Sequence, residues 1–435
     1  STRSLFCVLS PGTSFSTDNE VITNNTSCIW LSKLTQFGKD KIVIGAANVD
    51  VITGTTSIFE YQTEYLNSPS TFDSLEKFIS VYNPNEIIII SNLNSDYIDN
   101  AISYTDITSK SIHRIDIDEA SEEIKKIIHN CELQTYQTEI LEKFYISSKK
   151  DHALEAFWHF PIACQSFCYL LDFIEKHNPN LIKNIDVPRF ENFSNRLTLA
   201  NHTLQQLNII GDGTVKGKNS SVLSLLNNCI TNMGKRRFAY NLMNPTDNIS
   251  LLEQEYNITE HIVQKFDDVG FIKPILRDIK DLEKLERSTY MKRVTPVQIA
   301  HFYNDLVNIQ SLFTEIDSDE TFRSYILSNS KIDYDKFLSY CEKIKTKITQ
   351  TINIDIAKGV DGMNFEKHEN FIERGISSML DNKQDEYDEI NDQIKALQKY
   401  FDSILIKTEK KSKTTEYVKI HKTTTEISLI TTAKR

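Results

Sequence analysis

Acidic residues are the side chains in this sequence that could most readily do chemistry, and Asp50 is the first candidate. It closes an apolar stretch at 41–51 that predicts a β-strand, and a Thr-Gly turn follows it. Several carboxylates that hold two metal ions could hydrolyse a phosphodiester at such a position. No convincing partners accompany it, because Glu86 precedes its strand and the acids at 116–119 follow a later one. The pattern therefore favours a turn aspartate, with a metal-dependent nuclease as the alternative.

A second candidate is the stretch 210–220, which has the glycines and lysines of a phosphate-binding loop. That motif requires a glycine five positions before its second glycine, and a hydroxyl residue after its lysine. Asp212 stands in place of the glycine and Asn219 in place of the hydroxyl. We interpret the stretch as an ordinary loop that binds no nucleotide.

Metal ligands could come from two pairs of residues at helical spacing. Cys164 and Cys168 are four residues apart, and His152 and His159 are one heptad apart. A structural metal site needs about four ligands, and neither pair has further ligands nearby. We therefore predict buried thiols and structural histidines, no metal site and no catalytic residue in this chain.

Basic residues concentrate at the end of the chain. The sequence has a net charge of −11, which argues against a surface that is basic throughout. Residues 407–435 nevertheless contain eight Lys or Arg against three acids. Phosphate attraction is local, because salt screens it beyond about 10 Å. The predicted contacts to a nucleic-acid backbone are Lys407, Lys410, Lys411, Lys413, Lys419, Lys422, Lys434 and Arg435.

The totals indicate a globular protein of more than one domain. A length of 435 residues predicts two or three domains, and 40% hydrophobic with 25% charged residues is ordinary composition. No window resembles a membrane span or a signal peptide. The scattered cysteines favour a reducing, intracellular compartment. Because the chain lacks an initial Met and stops in mid-pattern, we expect it to be part of a longer protein.

Residues 28–135 alternate strand and helix signals. Residues 1–27 resemble a linker, and 41–51 with 56–61 predict a hairpin. An amphipathic helix then leads to the apolar strand 86–90, which predicts burial on both faces. This order predicts a ribonuclease H-like α/β domain at 28–135.

The segment 220–263 predicts three short helices in succession. Ser220 is placed to cap the first and Thr231 the second, which ends at Asn244-Pro245. Ser250 with Glu253 forms a capping box for the third. The buried face predicted for that third helix consists of Leu252, Tyr256, Thr259, Val263 and Phe266.

This segment closely resembles the core-domain signature of the MutS family of DNA mismatch repair proteins, through the run 231–237, then 242–245 and the acid-capped helix. Other segments resemble the family in the same order along the chain, with Gln206 where the family usually has an acid. They are 49–54, 83–87, 195–207, 281–287, 294–299 and 375–381. Within the signature we predict a structural hub of Gly234, Arg236, Arg237, Phe238, Leu242 and Pro245, in which Gly234 allows close helix packing.

A heptad pattern follows, at spacings of three and four residues, in Tyr387, Ile390, Ile394, Leu397, Phe401 and Ile404. In a soluble protein such a seam is often an oligomerisation strip. The resemblance implies instead a lever helix at 381–406 whose seam packs on an antiparallel helix of the same subunit. It also implies a helical core domain at 136–380 and the start of a DNA clamp at 407–435.

The resemblance implies the following function for the parent protein. A homo- or heterodimer would encircle mismatched or branched duplex DNA, and ATP with magnesium, bound outside this chain, would reset its grip. This chain would hold no cofactor and would couple nucleotide state to clamping. The alternatives are a helical scaffold that never meets DNA, a recombination-type MutS homologue without mismatch recognition, and the nuclease based on Asp50.

Overall fold

The fold was analysed in a computed structural model that describes residues 23–36, 38–107, 109, 111–145, 157, 159–182, 185–191, 197, 201–211, 217–266, 268–330, 333–360, 370–409, 418–422 and 427–431. The described residues fall into two compact units, one within 1–294 and 311–331, the other within 295–310 and 332–435. None of the helices in these ranges is long and apolar enough to cross a membrane.

The first unit begins with a six-stranded sheet. Its strands are β1 (Asn25–Gln36), β2 (Lys39–Asp50), β3 (Thr56–Glu64), β4 (Glu86–Ser91), β5 (Ser111–Asp116) and β6 (Arg189–Phe190). Their order across the sheet is β5-β4-β1-β2-β3-β6. The β1–β2 and β2–β3 pairs are antiparallel, whereas the β1–β4, β4–β5 and β3–β6 pairs are parallel. The predicted hairpin and buried strand are thus present, and β1 already begins inside the stretch predicted as a linker.

Two apolar cores lie on opposite faces of this sheet, because successive strand residues point to opposite sides. In β4, Ile87 and Ile89 face one core while Ile88 and Ile90 face the other. Helices α1 (Pro69–Tyr82) and α2 (Ser95–Tyr104) cover the first face. Helices α3 (Glu122–Glu132), α4 (Gln134–Phe144) and α5 (Pro161–His177) cover the second.

The sheet domain extends past residue 135, where the sequence analysis ended it. Helix α5 has an apolar face that predicted a helical core domain, but this face packs on β1 and β2. Gly45 of β2 lies directly against the start of α5, and Glu60 of β3 accepts a hydrogen bond from the Ala163 amide at 2.8 Å. With β6 paired to β3, the sheet domain reaches Phe190.

The helices that follow in the first unit are α6 (Asn201–Gln206), α7 (Val222–Leu226), α8 (Asn232–Met243), α9 (Ile249–Gln264), α10 (Ile272–Asp278), α11 (Leu282–Tyr290) and α13 (Glu320–Asn329). Helix α12 (Pro296–Asp317) begins within the segment 294–299 that resembles the family. Thr231 caps α8 as predicted. Two other predicted caps were wrong by one or two residues, because Ser221 caps α7 and Asn248 caps α9.

The predicted buried face of α9 was also wrong. Tyr256 and Val263 are each 67% exposed, whereas Ile258 is 6% exposed. Polar residues on the same side of α9 as Ile258 make ionic contacts with the N-cap of α13. His261 and Lys265 contact the Asp319 carboxylate at 2.9 and 2.6 Å. Helix α9 has apolar residues on two faces, and α13 packs on the face that the sequence analysis did not choose.

The second unit contains the longest helix of the structure. Helices α14 (Tyr334–Thr351) and α15 (Ile354–Lys358) precede α16 (Ser378–Glu409), which has 32 residues. Before α16, the Arg374 guanidinium contacts the Asp385 carboxylate at 2.7 Å, and the Gly375 amide donates to Asp381 at 2.9 Å. Strands β7 (Val418–Lys422) and β8 (Ile427–Thr431) form an antiparallel ribbon after the helix.

The heptad seam of α16 is exposed in this structure. Tyr387 and Ile390 are 51% and 53% exposed, and Leu397 is 50% exposed. The helix itself is present and slightly longer than predicted. What covers its apolar seam stays a prediction.

The contact between Gly45 and α5 provides a test of the corrected domain boundary. A Cβ atom at Gly45 would lie 2.4 Å from the Ala163 nitrogen and from the Ile162 carbonyl carbon. Gly45→Ala should therefore lower the free energy of unfolding by about 1–3 kcal/mol, measured by urea denaturation. Gly270→Ala is the control, since nothing lies within 4 Å of its Cβ position. Equal stability of the two variants would contradict the packing of α5 on β2.

Candidate functional site

Arg287 and Asp305 are the two most strongly buried charged residues among those described, and Arg287 joins the sheet domain to helices of the first unit. Arg287 of α11 is 1% exposed, although a charged helix position usually predicts exposure. Its side chain lies against the turn between β2 and β3, because a Cβ at Gly54 would be 3.0 Å from Arg287 Cδ. Gly54 has a φ of +77°, so the turn needs a glycine for its backbone conformation as well. We use the term joint for five residues at this boundary between the sheet domain and the helices. They are Asp50, Asp186, Arg236, Asp281 and Arg287.

Acidic groups of the sheet domain face Arg287. Burial lowers the pKa of Arg287 to about 10, and the charges of Asp186 and Asp50 oppose that change. The Asp186 backbone is fixed to the turn, because its amide donates to the Gly54 carbonyl oxygen at 2.9 Å. Its own carbonyl oxygen accepts from the Thr56 hydroxyl at 2.7 Å. The negative side of the joint is thus held in place by backbone contacts.

Asp50 is occupied in closing this turn. Its Oδ1 accepts from the Asn24 and Ile52 amides at 3.0 Å each, and its Oδ2 accepts from the Thr53 hydroxyl at 2.8 Å. Burial raises the pKa of Asp50, and these three bonds act against the rise. The residue is 4% exposed. This geometry is that of the turn aspartate favoured by the sequence.

The other candidate carboxylates do not gather around Asp50. Strand register places Asp116 opposite Ser91, at the end of β4, whereas Asp50 lies opposite Asn25, at the start of β1. Because β1, β4 and β5 run parallel, Asp50 and Asp116 are at opposite ends of the sheet. Glu86 is at the same end as Asp50 and contacts His113 Nε2 at 2.7 Å. Among the described residues, no group of three His, Cys, Asp or Glu side chains could hold a metal ion.

Of the candidate metal pairs and the glycine-rich loop, Cys164, Cys168, His159 and the two ends of the loop lie within the described residues. Cys164 and Cys168 are buried, and the neighbouring Cys164 together with burial raises the pKa of the Cys168 thiol. His159 is exposed, and His152 lies outside the described residues. Residues 212–216 of the 210–220 loop also lie outside them.

Of the six predicted hub residues, Arg236 makes the most specific contacts. Its guanidinium contacts both Asp281 oxygens, at 2.8 and 2.6 Å, and the Glu283 carboxylate at 2.5 Å. Asp281 also caps α11, since it accepts from the Lys284 amide. Arg236 therefore fixes the start of the helix that carries Arg287.

The remaining hub residues have less specific positions. Arg237 is exposed and lies over the Tyr240 ring at 5.9 Å, and Phe238 and Leu242 are partly buried. The Pro245 carbonyl oxygen accepts from the Leu197 amide at 2.9 Å. Gly234 was expected to allow close packing between helices. Its nearest neighbours are instead Thr231 and Cys229, in the loop that caps its own helix.

A second contact connects the sheet domain to α8. Glu191, next to β6, accepts from the Tyr82 hydroxyl at 2.5 Å and from the Tyr240 hydroxyl at 3.5 Å. Burial and the negative charge of Glu191 raise the pKa of Tyr82. Asp281 and Arg287 lie at the two ends of the segment 281–287 that resembles the family, but neither they nor Glu191 were predicted as hub residues. Asp281 alone had a usable signal, because an aspartate before an apolar helix predicts an N-cap.

The predicted backbone-binding residues are described in part. Lys407 is exposed near the end of α16, and Lys419 is exposed on β7. Lys422 belongs to β7, but its side chain is outside the described atoms. Lys410, Lys411, Lys413, Lys434 and Arg435 lie outside the described residues.

Removal of Arg287 tests the joint. Arg287→Ala leaves the acids that face it uncompensated, so we expect the free energy of unfolding to fall by about 3–5 kcal/mol in urea denaturation. Arg293→Ala, at an exposed position, should change it by less than about 0.5 kcal/mol. Similar small losses in both variants would mean that Arg287 does not hold the domains together.

The Arg236–Asp281 pair predicts a pH dependence. Burial alone would raise the pKa of Asp281, but the bonds and charge of Arg236 outweigh it and hold the pKa below 3.8. The stabilisation is therefore complete above pH 3.8 and is lost as the pH falls through the lower, folded-state pKa. Asp281→Asn should cost about 1–3 kcal/mol at pH 7, and its difference from wild type should narrow in more acidic urea titrations. The exposed Asp278→Asn is the control, and a gap that widens in acid would refute the pairing.

Comparison with known proteins identifies the family. The profile described as MutS domain III matches residues 202–422, more than half of the 435-residue chain. A putative DNA mismatch repair protein mutS homolog of Acanthamoeba polyphaga mimivirus is 26% identical over 92% of this chain and 36% of its own length. A DNA mismatch repair protein MutS of Borreliella burgdorferi is 22% identical over 78% of this chain and 34% of its own length. The chain thus spans about a third of the length of these curated relatives, and it belongs to the MutS family.

Proposed function

We propose that this chain is the transmission part of a DNA mismatch repair ATPase. In this proposal it contributes no catalytic residue and couples nucleotide state to the clamping of mismatched or branched duplex DNA. The relatives named above are described as DNA mismatch repair proteins, which supports a DNA partner. The whole protein would act as a homo- or heterodimer.

The observation that carries this proposal is the long helix α16 with the ribbon at its end. At 1.5 Å per residue, its 32 residues extend about 48 Å. The ribbon is hydrogen-bonded to the helix near that end. A rod with a basic element attached can carry a displacement from one end to the other, as a lever must. Its exposed seam would pack on an antiparallel helix of the same subunit.

The sheet domain would serve as the connector. Its three antiparallel strands followed by parallel β4 and β5 agree with a ribonuclease H-like arrangement. In the proposal this domain has no nuclease activity. The joint would make this connector move with α8 and α11, since Arg287 and Arg236 fix both ends of the contact. The predicted hub would therefore work through Arg236 and its bond to Asp281.

ATP and magnesium would be bound outside this chain. The glycine-rich loop at 210–220 does not fit them, because Asp212 and Asn219 replace the residues that cradle phosphate and bind magnesium. The apolar residues left exposed on α9, among them Tyr256 and Val263, suit a contact with the nucleotide-binding domain.

The basic end of the chain would bind the DNA backbone without reading sequence. Each phosphate contact contributes about 0.9 to the slope of log affinity against log salt. A variant in which Lys407, Lys410, Lys411 and Lys413 become Ala should therefore bind a labelled duplex more weakly, with a shallower salt dependence. Fluorescence anisotropy at several salt concentrations measures both quantities.

The matched control neutralises four exposed lysines elsewhere, namely Lys39, Lys126, Lys218 and Lys284. It changes the net charge equally, so it separates a local contact from the general charge of the protein. Equal slopes for both variants would remove the assignment of the basic end to DNA. Absence of any DNA binding by the wild-type chain would favour the helical scaffold.

A further inference from the structure

The ribbon is hydrogen-bonded to α16 through the backbone of Val418. The Val418 amide donates to Asp402 Oδ1 at 2.8 Å, and the Val418 carbonyl oxygen accepts from Gln398 Nε2 at 2.6 Å. Gln398 and Asp402 are four residues apart, so they lie on the same face of the helix. Val418 itself is 3% exposed. Both polar groups of this buried residue are thereby satisfied by the helix.

This attachment determines which face of the ribbon is turned outward. Successive strand residues point to opposite sides, so Lys419 and His421 lie on the face opposite Val418. In agreement, Lys419 and His421 are exposed, whereas Ile420 is partly buried. A shift of one residue against the helix would bury Lys419 and expose Val418.

Asp402 places a negative charge next to the ribbon that is proposed to contact DNA. A carboxylate so close to a phosphate-binding strand would weaken the attraction of that strand for DNA. Its bond to the Val418 amide supplies a reason for an acid at this position. Gln398 performs the complementary task without charge, by donating to the carbonyl oxygen.

We propose that Gln398 and Asp402 are positioning residues that hold the Lys419 face of the ribbon toward the DNA backbone. This inference rests on the proposed function, because it requires that the ribbon contacts DNA. The two residues do not touch DNA themselves. They set the register and direction of β7, and Lys419 makes the phosphate contact.

The test is whether the contribution of Lys419 depends on the two positioning residues. Lys419→Ala is introduced into the wild-type chain and into the Asp402→Ala and Gln398→Ala backgrounds, and binding to a labelled duplex is titrated with salt. In the wild-type chain, Lys419→Ala should lower the salt slope by about 0.9, so that a fourfold change in salt alters the affinity ratio of variant to wild type about 3.5-fold. In both backgrounds Lys419→Ala should have little further effect. Asp402→Asn keeps an acceptor oxygen and should retain most of the Lys419 contribution.

Asp392→Ala is the matched control, because Asp392 is an exposed acid of the same helix that contacts Lys395 one turn away. It removes the same charge, and Lys419→Ala should keep its full effect there. Circular dichroism verifies that each variant is folded. Hydrogen exchange should increase at the Val418 amide in Asp402→Ala and stay unchanged in Asp392→Ala.

The outcomes separate the two proposals. If Lys419→Ala lowers the slope equally in all backgrounds, Gln398 and Asp402 do not position the ribbon, although the ribbon still binds DNA. If Lys419→Ala has no effect in wild type, the contact of this face with DNA is wrong and the positioning role fails with it.

Discussion

Burial of the Arg287 guanidinium is the constraint on which the larger compact unit depends. A charge that is 1% exposed is strongly destabilising unless opposite charges face it. Those charges, on Asp50 and Asp186, belong to the sheet domain, while Arg287 belongs to a helix of the following region. Separating the sheet domain from this helix would let water reach Arg287, Asp50 and Asp186. It would also break the contacts that hold these three residues in place. The sheet domain and helices α8 and α11 are therefore expected to behave as one body.

Strands β2, β3 and β4 could be predicted because their signal is local. Strands buried on both faces, such as 86–90, are continuous apolar runs, and strand periodicity assigns alternate residues to two cores without further information. Helix α5 could not be assigned in this way. Its apolar face predicts burial against another element. The same apolar pattern would result whether that element is a helix or a sheet. The approach of Gly45 decides between them, and that contact joins residues more than a hundred positions apart.

The candidate site was predictable only where the residue types were unusual for their position. The basic residues at 407–435 differ from the acidic remainder of the chain, so composition alone selects them. Arg287 lies in a helix rich in charged residues, so its residue type does not distinguish it as buried. Gln398 and Asp402 resemble ordinary polar residues of an exposed helix until the ribbon is in place. Residues that position other residues leave little trace in one sequence, because their role consists of a tertiary contact.

The buried polar groups of the joint find their partners within the chain, whereas several apolar helix faces remain exposed. Across the joint the bonds of Arg236, Asp281 and Asp50 are made within a single compact unit. The apolar faces of α9 and α16 remain exposed, with Tyr256 at 67% and Leu397 at 50%. Large apolar side chains that share an exposed face usually mark a contact surface. In the proposed transmission role, a signal would therefore enter and leave through these apolar faces, while the buried charges of the first unit hold its sheet domain against α8 and α11.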